Sequence, residues 1–218
     1  MKSKLLCVFL IIALALFAVS AGIAAPILSR SFYVAHVHAL NLPAETGFSE
    51  KTILEAYDDV MRFCLRGGTF STGDLGWTET GRTHFADVGV LFRLDLWVLG
   101  CSALTLAVLL LLSRRVKPAR PLGRGASFWA GWGVLALFAV IAAWGTTDFD
   151  RAFTVFHHIF FPGKTNWLFD PDLDEIILIL PDTVVKATVW TKLLSFRQFP
   201  HTAAADVQID VLCVVIHC

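Results

Sequence analysis

Leu5–Leu28 is a run of 24 residues without one Asp, Glu, Lys or Arg, and it constrains the fold more than any other stretch. As a helix rising 1.5 Å per residue it reaches about 36 Å, enough to cross a hydrocarbon core of roughly 30 Å. A cleavable secretory leader is the competing reading, since Val19-Ser20-Ala21 offers the small residues of a cleavage site. The apolar cores of such leaders span about 7–15 residues, so the longer run here predicts a retained membrane span.

Val88–Leu112 and Phe128–Gly145 are two further apolar runs, and Ile176–Phe196 is a weaker fourth, broken by Pro181, Asp182, Lys186 and Lys192. With 56% hydrophobic and 17% charged residues and a mean hydropathy of +0.66, the composition exceeds the apolar content of one soluble domain. The expected fold is therefore all-α. It is one polytopic membrane domain over residues 1–218, with spans at about 5–28, 88–112, 128–145 and 176–196 and an extracellular amphipathic helical cap.

Arg114, Arg115, Lys117, Arg120 and Arg124 crowd a connector broken by Pro118 and Pro121. The positive-inside rule assigns this loop, 113–127, to the cytoplasm together with the N-terminus and its Lys2 and Lys4. Residues 29–87 and 146–175 are then extracellular, and 197–218 is an atypical tail. Net charge is zero and no basic nucleic-acid signature is present, so the expected partners are membrane lipids and not nucleic acid. The five cysteines (Cys7, Cys64, Cys101, Cys213, Cys218) show no CxxC spacing and suggest neither a disulfide framework nor a zinc site.

Two extracellular stretches carry helical periodicity. In Ser49–Leu65, Ile53, Ala56, Tyr57, Val60, Met61 and Cys64 recur at three and four spacing, and Gly67-Gly68 ends the pattern. In Asp148–Phe161, Phe149, Phe153, Phe156 and Phe160 make an aromatic stripe beside a face of Asp150, Thr154, His157 and Phe161, which is expected to present His157. At the start of the second span, His84, Asp87, Leu91 and Asp95 share one helix face while Arg93 turns away from it.

Two polar clusters thus meet the outer leaflet, HFAD at His84–Asp87 and FHH at Phe156–His158. A pair of imidazoles can take a proton from one group and return it to another near neutral pH, with Asp87 or Asp150 setting a tautomer. The same residues also suit plain solvation of helix ends, and His84, His157 and His158 with carboxylates also suit a metal site. No HExxH or HxxxH pattern favours the metal, and no GxSxG or SxxK motif supports a serine nucleophile. Cys64 and Tyr57 share an apolar helix face that suits packing, and Trp167 suits an interfacial anchor. A proton-relaying enzyme, a metal-dependent membrane hydrolase and a non-catalytic pH-sensing membrane partner all stay open at this point.

The ordered motifs AYDDVMRF (Ala56–Phe63), THFADV (Thr83–Val88), DFDRAFTVFHHIFF and NWLFDPDLDEIILILPD (within Asp148–Asp182) resemble the lipoprotein intramolecular transacylases, Lit, a family of small four-helix bacterial membrane proteins. The resemblance covers roughly residues 5–182 and is carried by those motifs. It implies a cofactor-free acyltransferase acting on a diacylated lipoprotein in the bacterial cell membrane, with its active site at the outer leaflet. The acyl chain ester-linked at the sn-2 position of the diacylglyceryl-cysteine would move to that cysteine's own α-amino group, giving a lyso-form lipoprotein. His84 and His157 match the family's motif histidines as the catalytic pair, with Asp87, Tyr57, His158, Trp167 and Asp174 in support. After Pro181-Asp182 the sequence departs from the uninterrupted fourth span that the family leads one to expect. A changed reading frame near Thr183 would account for this, and translating the neighbouring frames of the gene tests it.

Overall fold

The computed structural model of the chain describes residues 2–180. The described residues are all-helical, apart from one isolated backbone bridge between Ser3 and Pro118. In chain order the helices are α1 (Lys4–Leu28), α2 (Arg30–Ala39), α3 (Leu42–Thr46), α4 (Glu50–Arg66), α5 (Glu79–Arg115), α6 (Ala126–Thr147), α7 (Phe149–Phe160) and α8 (Ile176–Ile179). Three of them, α1, α5 and α6, are long and apolar enough to cross a membrane. Of the expected fourth span only the short α8 and Leu180 fall within the described residues, and the rest lies outside them.

The chain divides into two compact units, Met1–Ala25 with Arg93–Thr147, and Pro26–Phe92 with Asp148–Cys218. In the first, Leu6, Leu10 and Ala13 line one stripe of α1 and pack on Leu106, flanked by Leu14, Leu109 and Ala126. Most other large apolar side chains of these helices, such as Phe9, Trp97, Leu104 and Val140, are exposed, which costs nothing where the solvent is hydrocarbon. A carboxylate in a span is costly unless paired, and Asp95 is met by the buried hydroxyl of Ser20. Arg93 is exposed, on the side expected from the spacing.

The second unit is built on α4, where Ile53, Ala56, Tyr57, Val60 and Cys64 of the anticipated apolar stripe are buried, while Met61 is only half-buried and Phe63 is buried in its stead. The Ser49 hydroxyl caps it by accepting from Thr52 N–H at 3.1 Å, and Gly67, at φ +75°, ends it. The short α3 packs on α2, α4 and α8. Sequence periodicity did not reveal α2, because ten residues containing two histidines and an arginine make a weak apolar stripe; its readable signal was Ser29, whose hydroxyl accepts from Phe32 N–H at 3.3 Å. An aromatic chain then runs from Phe63 to Phe70 (ring centroids 5.0 Å apart), Phe85 (5.6 Å) and Phe169 (5.7 Å), leading from α4 to the first turns of α5.

Candidate active site

The position of His84 follows from how α5 begins. The Thr78 hydroxyl accepts from Gly81 N–H at 3.0 Å, and it donates to Asp174, whose carboxylate also accepts from Thr78 N–H at 2.7 Å. Asp174 is 4% exposed, and carboxylate and hydroxyl together satisfy the first orphan amides of the helix. Gly81 is required here because any Cβ would collide with Asp174 Oδ1 and lie 3.2 Å from Phe169 Cε1. One turn further on, His84 is 2% exposed and meets the rings of Phe161 and Phe169 edgewise, with centroids 5.0 and 5.4 Å away.

His157 comes from the last turn of α7, a helix capped by the Asp148 carboxylate, which accepts from Arg151 N–H at 3.1 Å. Its ring lies 5.9 Å from that of His84, and it is 1% exposed. It was expected on a presented face; instead the helix turns it inward, stacked on Trp167 at 4.5 Å with Phe153 at 4.1 Å. Its Nδ1 lies 2.8 Å from the Phe153 carbonyl oxygen. A carbonyl only accepts, so Nδ1 carries the proton, and in the neutral ring Nε2 holds the basic lone pair.

Trp167 reaches His157 because the chain doubles back after α7. Lys164 N–H donates to Phe161 O at 3.1 Å across Pro162-Gly163, with Gly163 at φ +75°, the residue pattern of a type II turn. The returning segment grips α5: Lys164 Nζ lies 2.5 Å from Asp87 Oδ1, and Asn166 Nδ2 lies 3.0 Å from Asp87 Oδ2. The Trp167 indole N–H donates to Lys164 O at 3.0 Å. Burial raises the pKa of Asp87, but Lys164, Asn166 and the charge of His84 outweigh it and hold the carboxyl below its ordinary value.

Among the expected residues, His84 and His157 therefore face each other, Asp87 is charge-coupled to His84, and Trp167 floors His157. Trp167 is buried, and not the interfacial anchor suggested by its type. Asp174 stands one layer away, at the cap of α5. Tyr57 stacks on Tyr33 at 3.7 Å with the rings nearly parallel, a packing contact of α4 with α2. His158 is exposed and meets the edge of Trp167, at 6.1 Å. Lys164, Asn166 and Phe169 were missed, and Phe161, though read on the His157 face, was given no role. Among the described residues no three His, Cys, Asp or Glu side chains converge as a ligand set.

Long apolar helices, beside a buried, aromatic-walled histidine pair, define an integral membrane protein. The chain belongs to the lipoprotein intramolecular transacylase Lit family, which it matches over residues 8–184, and so to the acyl-transferring enzymes. Its fold is similar to that of the membrane-integral lipoprotein intramolecular transacylase Lit from Bacillus cereus, with a TM-score of 0.71 and 18% identity over 98% of this chain and 90% of that one. A histidine-to-arginine variant of the Bacillus cereus protein gives 0.71 and 18% over 98% and 87%. A histidine-to-alanine variant gives 0.69 and 20% over 98% and 91%. No curated protein matches the chain significantly.

Proposed function

We propose that this protein moves the sn-2 acyl chain of a diacylglyceryl-cysteine lipoprotein to the cysteine's own α-amino group, at the outer leaflet of a bacterial membrane. The observation that carries the reading is the facing pair His84 and His157, 5.9 Å apart in a family of intramolecular transacylases. An α-amino group with a pKa of roughly 7.7–8.0 is mostly protonated at neutral pH and needs a base before it attacks an ester. His157 supplies that base through Nε2, since Nδ1 is committed to Phe153 O. The nitrogen adds to the ester carbonyl carbon, and the C–O bond to glycerol then breaks. His84, paired in charge with Asp87, steadies the developing oxyanion and returns a proton to the departing glyceryl oxygen.

Counting from nitrogen through Cα, Cβ, sulfur, two glycerol carbons and the ester oxygen to the acyl carbon closes a ring of about eight atoms, so holding both ends together lowers the entropic barrier. The aromatic walls suit an acyl chain and keep out the water that would turn transfer into hydrolysis. The topology that goes with this reading keeps the N-terminus and loop 113–127 in the cytoplasm, with 29–87 and 146–175 outside. Membrane lipids surround one membrane domain in this reading, no cofactor takes part, and nucleic acid does not.

Fragmentation mass spectrometry of the N-terminal lipopeptide before and after exposure to the protein tests the proposal, because transfer leaves the intact mass unchanged. One acyl group on the amine and one on glycerol supports it. Loss of an acyl chain means a hydrolase, and an unaltered lipopeptide counts against both.

A further inference from the structure

Seven cations gather at one end of the unit that holds the apolar helices, where backbone hydrogen bonds join two distant parts of the chain. Ser3 N–H donates to Lys117 O and Ala119 N–H donates to Ser3 O, both at 2.9 Å. Lys2 and Lys4 are thereby held beside the connector that carries Arg114, Arg115, Lys117, Arg120 and Arg124. All seven are exposed, and none of them forms an ion pair among the described residues. No Asp or Glu occurs anywhere in residues 1–44 or 96–147, so the sequence around them offers no counter-charge.

The connector is built, not slack. Gly123 N–H donates to Arg120 O and Arg124 N–H to Pro121 O, both at 3.0 Å, and the Arg124 guanidinium lies 5.0 Å from the centre of the Phe128 ring. Between them Leu122 is 87% exposed and adopts φ 50°, ψ 30°, a left-handed conformation that a branched apolar residue rarely takes. A strained leucine held outward with almost its whole surface open is costly in water and natural in an acyl layer. The cations also lie where apolar helices end: Lys4 begins α1, Arg114 and Arg115 close α5, and α6 begins at Ala126. Ends of spans sit at headgroup level.

We infer that this collar is a binding site for anionic phospholipid headgroups, with Leu122 seated in the acyl boundary. Guanidinium forks take phosphate oxygens in pairs and the lysines act as point charges. A zwitterionic headgroup brings its own ammonium and gains less, so the site selects lipids of net negative charge. A collar that merely sets topology would bind both kinds alike. The inference does not depend on the transfer reaction.

The test uses the full-length protein in detergent, titrated with phosphatidylglycerol, with phosphatidylcholine of the same acyl chains, or with inorganic phosphate, and read by native mass spectrometry. Phosphatidylglycerol should stay bound where phosphatidylcholine does not, and the triple variant Lys117→Gln, Arg120→Gln, Arg124→Gln should weaken it roughly fivefold per charge removed. Arg120→Lys with Arg124→Lys should retain most of the binding. Equal retention of the two lipids, or displacement by inorganic phosphate at equal concentration, overturns the inference. Should the triple variant fail to insert, rising salt on the native protein decides: phosphatidylglycerol retention must fall, and retention that ignores salt sinks the idea.

Discussion

At the residue scale, the two histidines are distinguished by what holds them. His157 has its tautomer set by a backbone carbonyl and its ring set by Trp167 and Phe153, whereas His84 has a carboxylate one helical turn away. His157→Ala should therefore lower kcat by about 10²–10⁴, the usual worth of a positioned base, with little change in KM. Lipopeptide fragmentation over a time course reads this, and a kcat within twofold of the native value would remove His157 from the mechanism. Asp87 lies one helical turn from His84 and is held by its two donors, Lys164 and Asn166. Asp87→Asn should displace the pH profile of kcat while leaving the protein folded; a uniform drop at every pH would mean a purely structural role. The same carboxyl makes stability depend on pH. Its folded pKa lies below the unfolded value near 3.9, so its contribution is complete above that value and is lost as pH falls through the depressed one. Acid unfolding of Asp87→Asn should accordingly be less steep than that of the native protein.

At the scale of elements, the start of α5 and the α2–α4 pair each offer a test. Gly81 is hemmed by Asp174 and Phe169, and Asp174 cannot move aside without giving up its bonds to Thr78. Gly81→Ala should destabilise the protein by about 1–3 kcal/mol through overpacking, despite the better helix propensity of alanine. A thermal midpoint equal to or above the native one would show that the cap is more pliable than its geometry indicates. From α2, the Tyr33 hydroxyl donates to Ile179 O of α8 at 2.9 Å while its ring covers Tyr57 of α4. Burial, helped by the charge of Asp58, pushes the Tyr57 hydroxyl up to about 12. Unfolded tyrosine ionises near 10, so stability from this group is whole below pH 10 and declines as pH rises from there towards 12. A titration of phenolate absorbance should show Tyr57 ionising late, together with alkaline unfolding, and an ordinary titration near pH 10 would contradict its burial.

At the scale of the whole molecule, what was legible is what a local pattern can carry. Long apolar runs announce α1, α5 and α6 because a helix must be about 20 apolar residues long to cross the hydrocarbon layer, and the three-and-four spacing of Ile53 to Cys64 announces the buried face of α4. His84 and His157 stood out by residue type and motif. Their partners did not, because Lys164 and Asn166 meet Asp87 across 77 and 79 residues, and Asp174 meets Thr78 across 96. Periodicity has no term for such separations. Nor did it show that His157 and Trp167 lie buried against each other, since a helix with apolar residues on two neighbouring faces does not say which one turns inward. The sequence by itself determined an all-helical membrane protein with a histidine pair, because bilayer thickness and helix period act within one segment. Only the tertiary structure decided which backbone carbonyl holds His157 Nδ1, which side chains grip Asp87 and what crowds Gly81, because these depend on chain reversals that bring remote groups to within hydrogen-bond reach.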